Sequence, residues 1–191
     1  MLEPPPSARL IEAFANTLNL EYDTDALDSP SRLTDWLLAL GLLDERFDLS
    51  FQEHAQYLAL RGGIREQLGA NVGMAPATDA VEAADDVLRG LPLHASVRDA
   101  PLTPGPELTP SQRPLAVLAL TWTQLRLTGD ALRLKRCAEH TCELVFWDLS
   151  KNHSRRWCSM RVCGNRVKSR AYAARKATEA PPHREAPSSR K

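Results

Sequence analysis

Residues 137–176, CAEHTCELVFWDLSKNHSRRWCSMRVCGNRVKSRAYAARK, hold every cysteine of the 191-residue chain. Cys137 and Cys142 are separated by four residues, Cys158 and Cys163 by four, and the two pairs by fifteen. Two close pairs at such a distance are typical of two knuckles around one tetrahedral zinc ion. The spacing therefore predicts Zn²⁺ as the cofactor, in a structural site whose four thiolates leave no open position for substrate.

Two disulfides are the alternative account of four cysteines. Disulfides persist in oxidising compartments, whereas this chain begins Met-Leu-Glu-Pro-Pro-Pro without a basic and apolar signal segment. We therefore expect a cytoplasmic protein with reduced thiols. His140 and His153 are possible replacements for a thiolate, and we interpret both as solvated loop residues because four cysteines already complete the site.

Basic residues surround the cysteines. Four thiolates around a divalent ion carry a net charge of −2, which is costly unless cations or donors lie nearby. The sequence offers such cations on both sides of the cysteine pairs. They are Lys135, Arg136, Arg155, Arg156, Arg161 and Arg166.

The same residues resemble a known family. The matching segments are Cys137 to Cys142, Phe146 to Ser150, Arg155 to Met160 and Cys163 to Lys168. Together they resemble the CGNR zinc finger, which is named for a motif found here as Cys163-Gly164-Asn165-Arg166.

Upstream, Phe14 to Thr17 and Leu33 to Leu37 look like the start of the ABATE domain, which precedes this finger in bacterial proteins described as stress-induced transcription regulators. The two resemblances imply a zinc-dependent, DNA-binding regulator. We predict a helical ABATE-like domain over 8–130, a finger over 131–177 and a disordered basic tail over 178–191.

The zero formal net charge hides an asymmetry. From residue 132 onward there are 15 Lys and Arg against 5 Asp and Glu. Residues 1–131 therefore carry an equally large excess of Asp and Glu, 19 against 9 Lys and Arg. Residues 151–176 contain nine basic residues and no acidic one. Such a run suits a polyanion, with a solvated basic face as the alternative.

Composition indicates an ordinary globular chain, 43% hydrophobic and 25% charged, and no apolar run is long enough for a membrane helix. Helical spacing of apolar residues predicts five helices before residue 130. The first helix carries Leu10, Ile11, Phe14 and Leu18, and the second covers about 30–40. The third helix begins at Ser50, the fourth begins at Thr78, and the fifth runs from Thr109 to Gly129. Gly62-Gly63 predicts a kink or break in the third helix.

We therefore expect an α+β fold, mainly α, with a small antiparallel sheet. Alternation predicts strands at 93–97 and 131–136, which we expect to pair and so join the two modules. Residues 144–147 read as the returning strand of a hairpin clamped by zinc. The last cysteines then open a helix over about 160–177 that carries Val162, Val167, Tyr172 and Ala173, a treble-clef-like layout. Much of the surface of this helix away from the core is occupied by Arg161, Lys168, Arg170 and Arg175.

That helix is where we expect contact with nucleic acid, since a helix fits the major groove of B-form DNA. The predicted contacts are Arg155, Arg156, Arg161, Asn165, Arg166, Lys168, Arg170, Arg175 and Lys176. For Asn165 and Arg166 the alternative role is support of the zinc site. Asn16 and Thr17 are interpreted as structural, with contact to a ligand as the alternative.

Three functional classes remain open at this point. The first is a transcription regulator whose N-terminal domain senses a small-molecule or protein effector, or forms a homodimer, while the finger binds DNA. The second is an RNA-binding protein, and the third is a thiol switch or protein-interaction module without nucleic acid. We expect no enzyme activity, because no nucleophile with its base, phosphate loop or open metal site is visible.

Overall fold

The computed structural model describes residues 3–98 and 102–179 of the chain. Most of the predicted tail over 178–191 lies outside these ranges. Six α-helices are described: Pro6–Ala15 (α1), Pro30–Ala39 (α2), Phe51–Ala70 (α3), Thr78–Arg89 (α4), Gln112–Thr128 (α5) and Asn165–Glu179 (α6). Three two-stranded antiparallel sheets accompany them, formed by Leu18–Asn19 (β1) with Thr24–Asp25 (β2), Leu93–Ala95 (β3) with Leu102–Pro104 (β4), and Leu134–Arg136 (β5) with Val145–Trp147 (β6). The expected mainly helical α+β class is confirmed.

The helix boundaries follow from capping chemistry. At the start of α3, the Ser50 hydroxyl accepts from the Glu53 backbone N–H at 3.2 Å, and the Glu53 carboxylate accepts from the Ser50 N–H at 2.8 Å. Helix α5 ends at Gly129, whose φ of 80° lies in the left-handed region. Helix α1 stops earlier than predicted, so that Leu18 lies in β1.

The predicted break at Gly62-Gly63 is wrong, because α3 is continuous from Phe51 to Ala70. A side chain on Gly63 would place its Cβ 2.3 Å from the Cβ of Ala84 and 3.0 Å from the Ala80 carbonyl oxygen. Gly63 therefore allows α4 to pack closely on α3. Gly62 faces open space, so it has no such contact.

The main core lies between α1, α3 and α5. Its fully buried side chains include Ile11, Phe14, Leu60, Ile64 and Leu118. The β5–β6 hairpin contributes to the same cluster through Leu134, Val145 and Trp147. The hairpin that carries the first two cysteines is thus built into the hydrophobic core of the helical part.

The predicted pairing of 93–97 with 131–136 is also wrong. β3 pairs with β4, and β5 pairs with β6 in a register that sets Leu134 against Trp147. Residues 130–133 form a 3-10 turn, so the second strand begins only at Leu134. Each strand pairs with a partner close in sequence, which closes a shorter loop at lower entropic cost. The sheet predicted to join the modules is therefore replaced by side-chain contacts and core packing.

Within 3–98 and 102–179, no helix is both long and apolar enough to cross a membrane.

Candidate metal centre and basic helix

The four cysteine side chains converge at one point. Cys137 follows β5, Cys142 closes the knuckle at the tip of the β5–β6 hairpin, and Cys163 lies in a π-helical turn, Met160–Gly164, that leads into α6. All four Sγ atoms lie within 4.8 Å of one another. The Sγ of Cys158 lies 3.7 Å from that of Cys142 and 3.6 Å from that of Cys163. The predicted hairpin, knuckle and helix layout is confirmed.

These distances fit a single metal ion. Four sulfurs at about 2.3 Å from a central zinc ion lie roughly 3.8 Å apart at the corners of a tetrahedron. A disulfide requires about 2 Å between sulfurs, so the arrangement does not correspond to two bridges. Burial, together with the neighbouring thiols, raises the pKa of Cys163 to about 12 and raises that of Cys158 further. Four thiolates in this space thus need a cation between them.

Backbone hydrogen bonds hold the knuckle in shape. The Cys137 N–H donates to the Leu144 carbonyl at 2.9 Å, and the Cys142 N–H donates to the Glu139 carbonyl at 2.9 Å. In the second half of the site, Gly164 lets Met160 pack against it, since a Cβ there would lie 2.5 Å from the Met160 sulfur. The glycine of the CGNR motif therefore has a packing role beside the last cysteine.

The loop from β6 to Cys158 is organised by a buried ion pair that the sequence analysis did not identify. Lys135 Nζ donates to the Asp148 carboxylate at 2.8 Å, and both side chains are almost wholly buried. Lys135 also donates to the Arg155 carbonyl at 3.0 Å, and Asp148 accepts from the backbone N–H groups of Ser150 and Arg155. Burial opposes ionisation of Asp148, but these hydrogen bonds outweigh it and lower its pKa. Lys135 therefore forms its ion pair with Asp148 and not with the cysteine thiolates.

A second buried cluster ties the knuckle to α3. Arg136 Nη1 donates to the Glu66 carboxylate at 2.8 Å and to the Glu143 carboxylate at 3.0 Å, and Glu143 also faces Arg65 at 3.5 Å. Gly69 makes room for this guanidinium, because a Cβ at that position would lie 2.7 Å from Arg136 Nη2. Arg136 was predicted as a cation that shields the metal, but two carboxylates already neutralise it. The sequence signal that could have found this cluster is the adjacent pair of opposite charges, Arg65 and Glu66, between the buried Ile64 and Leu68 of α3.

Asn16 and Thr17 have structural partners. The Asn16 amide donates to the Val145 carbonyl at 2.9 Å and accepts from the Val145 N–H at 2.8 Å, so it holds the backbone of β6 at both groups. The buried Thr17 hydroxyl accepts from Arg61 at 2.9 Å, and Arg61 forms a two-point contact with Asp25. The two residues also line an open cavity of about 470 Å³ beside the β1–β2 hairpin.

Four of the nine cations between 151 and 176 are engaged by the fold. Arg166 pairs with Glu21 of the β1–β2 turn at 2.8 Å, and Arg170 pairs with the buried Glu139 of the knuckle. Arg155 lies over the Phe146 ring, and Arg156 donates to the Val72 carbonyl at 3.2 Å. Asn165 donates to the Arg161 carbonyl at 2.9 Å, one turn earlier. Neither Asn165 nor Arg166 contacts a cysteine sulfur in the hydrogen bonds described.

The other five cations are exposed and form no ion pair with the described side chains. They are Lys151, Arg161, Lys168, Arg175 and Lys176. Four of them lie on or beside α6, whose described side chains are exposed except for the half-buried Val167. The expected core side of this helix is therefore wrong: Val162, which lies in the turn before α6, is 47% exposed, and Tyr172 is 63% exposed. Helix α6 extends from the metal centre without a protein partner on most of its surface.

The histidines near the site stay outside it. His140 is well exposed and lies near Glu139 and Arg170, and His153 lies in an exposed turn. The cluster of metal-type donors in the described residues contains the four cysteines alone.

Comparison with known proteins agrees with this geometry. Residues 133–176 match the model of the CGNR zinc finger, and residues 8–145 match the ABATE model, described as "Putative stress-induced transcription regulator". No curated protein matches the chain. The two family models overlap on the β5–β6 hairpin, where the structure joins the two parts through core packing and buried ion pairs. The chain belongs to the ABATE family and carries a C-terminal CGNR zinc finger with a four-cysteine site.

Proposed function

We propose that the protein is a zinc-dependent DNA-binding transcription regulator and not an enzyme. The observation that carries this proposal is the exposed helix α6, which bears cations without acidic partners and starts at the four-cysteine cluster. A polyanion is the complement of such a surface, and a helix is the element that enters the major groove of duplex DNA.

In this account Cys137, Cys142, Cys158 and Cys163 bind one zinc ion. When bound, zinc supplies the positive charge and tetrahedral geometry that hold the four thiolates together. The cysteines fix the start of α6 relative to the β5–β6 hairpin, because Cys163 lies two residues before the helix and Cys142 lies at the hairpin tip. The metal site thus orients the basic helix, and no open coordination position is left for catalysis.

The N-terminal part, in our proposal, is the sensing or dimerisation domain. The cavity beside the β1–β2 hairpin supports a sensing role, because the same hairpin carries Glu21, the partner of Arg166 on α6. An effector that moved this hairpin would change a contact to the helix proposed to bind DNA.

The test is a titration of zinc-loaded protein against duplex DNA and a structured RNA of equal length, with zinc content measured by elemental analysis. We expect one zinc ion per chain and tighter binding to the duplex. Cys158→Ser is expected to lose both zinc and DNA binding. Preference for the RNA would favour an RNA-binding protein, and binding to neither at low salt would favour a thiol switch or interaction module.

A further inference from the structure

The described contacts divide α6 into two faces. With about 3.6 residues per turn, residues four apart lie on the same side of a helix. Arg166 and Arg170 are four apart, and they contact Glu21 and Glu139 on the body of the protein. These two arginines therefore mark the inner face of the helix.

The outer face is the opposite side. It consists of residues spaced by three and four along the helix, each exposed: Asn165, Lys168, Tyr172, Arg175 and Lys176. Three of the five are cations without an ion-pair partner among the described side chains, and no acidic residue occurs between 151 and 178. The outer face thus has the charge of a DNA-binding surface.

Helix α6 also has the shape that a groove requires. Its 15 residues span about 22 Å, or about six base pairs of duplex. The residues next to Tyr172 in sequence are the exposed alanines Ala171, Ala173 and Ala174, so the turn that carries Tyr172 has no other large side chain and is narrow on its remaining sides. A narrow helix fits the major groove of B-form DNA, which is about 12 Å wide, whereas the deep and narrow major groove of A-form RNA does not admit it.

Tyr172 is the large, partly apolar side chain on this face. It is 63% exposed and has no hydrogen-bond partner within the described residues. Cations contact phosphates, which carry no sequence information, whereas apolar groups distinguish bases, as at the methyl group of thymine. The chemistry of the face therefore separates into phosphate contacts at its cations and a base contact at Tyr172.

We propose that the outer face of α6 enters the major groove of B-form DNA, with Tyr172 contacting a base edge and Arg166 and Arg170 outside the interface. This inference rests on the proposed function. According to this inference, Arg166 of the CGNR motif does not contact a base. Sequence preference depends instead on Tyr172, which lies outside that motif.

The test uses the zinc-loaded full chain and a duplex selected from a random library, with a scrambled duplex for comparison. Tyr172→Ala is expected to reduce the ratio of affinities for the two duplexes by about tenfold, the effect of one lost base contact, and to leave the salt dependence unchanged. Tyr172→Phe is expected to keep the ratio. Lys168→Ala is expected to weaken binding to both duplexes equally and to lower the salt slope by about one.

Two control variants test the division into faces. Arg89→Ala removes the same charge from the exposed C-terminal end of α4, and Arg166→Gln removes it from the inner face of α6. Both are expected to keep the slope and the ratio, with zinc content measured for each. An unchanged ratio in Tyr172→Ala, or a slope lowered in Arg166→Gln as in Lys168→Ala, would overturn the inference. If Arg166→Gln loses zinc, Arg89→Ala remains as the control for charge. Equal salt slopes of DNA affinity for Lys168→Ala and Arg89→Ala would then overturn the inference. Failure of the wild-type protein to bind either duplex would instead refute the proposed function.

Discussion

At the scale of single residues, the Asn16 amide connects the helical domain to the finger hairpin. It is bonded to both backbone groups of Val145, and replacement by alanine leaves a donor and an acceptor unpaired. We expect Asn16→Ala to lower the free energy of unfolding by about 2 kcal/mol. Chemical denaturation measures this. The control is Asn152→Ala, in an exposed turn, which should change stability little; equal effects of the two would contradict the role of Asn16.

Asp25 gives a prediction about pH. Burial alone would raise the pKa of Asp25, but hydrogen bonds from Arg61 and from the Leu27 N–H outweigh it and lower the pKa. The pKa of Asp25 in the folded protein thus lies below the unfolded value of about 3.9, so the stabilisation is complete above the unfolded value and is lost as the pH falls below it and through the folded value.

We therefore expect Asp25→Asn to cost about 2 kcal/mol of unfolding free energy at pH 6, with the difference from the wild type shrinking below about pH 4. Acid releases zinc from both proteins, so the difference between them is the quantity to follow in denaturant titrations. Asp44→Asn, at an exposed position, is the matched control. A difference that stays constant between pH 6 and pH 3 would show that the Arg61 contact does not depend on the charge of Asp25.

At the scale of elements, two adjacent glycines in α3 are expected to respond with opposite signs. Gly62→Ala meets no atom within 4 Å and should stabilise the protein by about 0.5–1 kcal/mol, through the higher helix propensity of alanine. Gly63→Ala places a methyl group against Ala84 and should destabilise by about 1–3 kcal/mol, because α4 must move away. Thermal unfolding of the two variants decides this. Stabilisation by both would mean that α4 does not pack closely on α3.

The elements whose signals are local could be predicted from the sequence. The cysteine spacing predicts the knuckles, the Ser50 and Glu53 capping box predicts the start of α3, and Gly129 predicts the end of α5. Each depends on residues within a few positions of one another, and the structure confirms all three.

What could not be predicted depends on partners distant in sequence. From the sequence alone, Gly63 favours a helix break, whereas the structure shows that it allows Ala84 to pack against α3. From the sequence alone, Arg136 is a cation close to the metal site, whereas the structure shows that it pairs with Glu66. The core side predicted for α6 assumed that an apolar side chain such as Val162 implies burial. That assumption fails where a helix lacks a protein partner.

At the scale of the whole molecule, the finger and the helical domain share a core. Leu134, Val145 and Trp147 of the finger hairpin pack in the same cluster as the helices, and Arg136 joins the hairpin to α3. The finger hairpin therefore takes part in the core of the helical domain, beside a second, smaller cluster formed by Phe146 and the cysteines.

Removal of zinc is accordingly expected to lower the Tm of the whole chain in a single transition. The thiolates repel one another without the ion, and the hairpin that carries two of them is part of the main core. Calorimetry before and after strong chelation measures this, with Cys142→Ser and Cys158→Ser compared without chelator. Two transitions, with the helical one unmoved by chelation, would show that the hairpin does not couple the metal site to the core.

The salt dependence of DNA affinity shows whether the zinc-bound protein presents a basic helix to DNA. Five cations of the finger have no ion-pair partner in the described structure. If all five contact phosphates, the logarithm of affinity should fall against the logarithm of salt concentration with a slope of about −4 to −5. Fluorescence anisotropy with a labelled duplex measures the slope for zinc-loaded and chelated protein. We expect this slope for the zinc-loaded protein and weaker binding after chelation. A slope near zero, or equal binding with and without zinc, would refute the proposal.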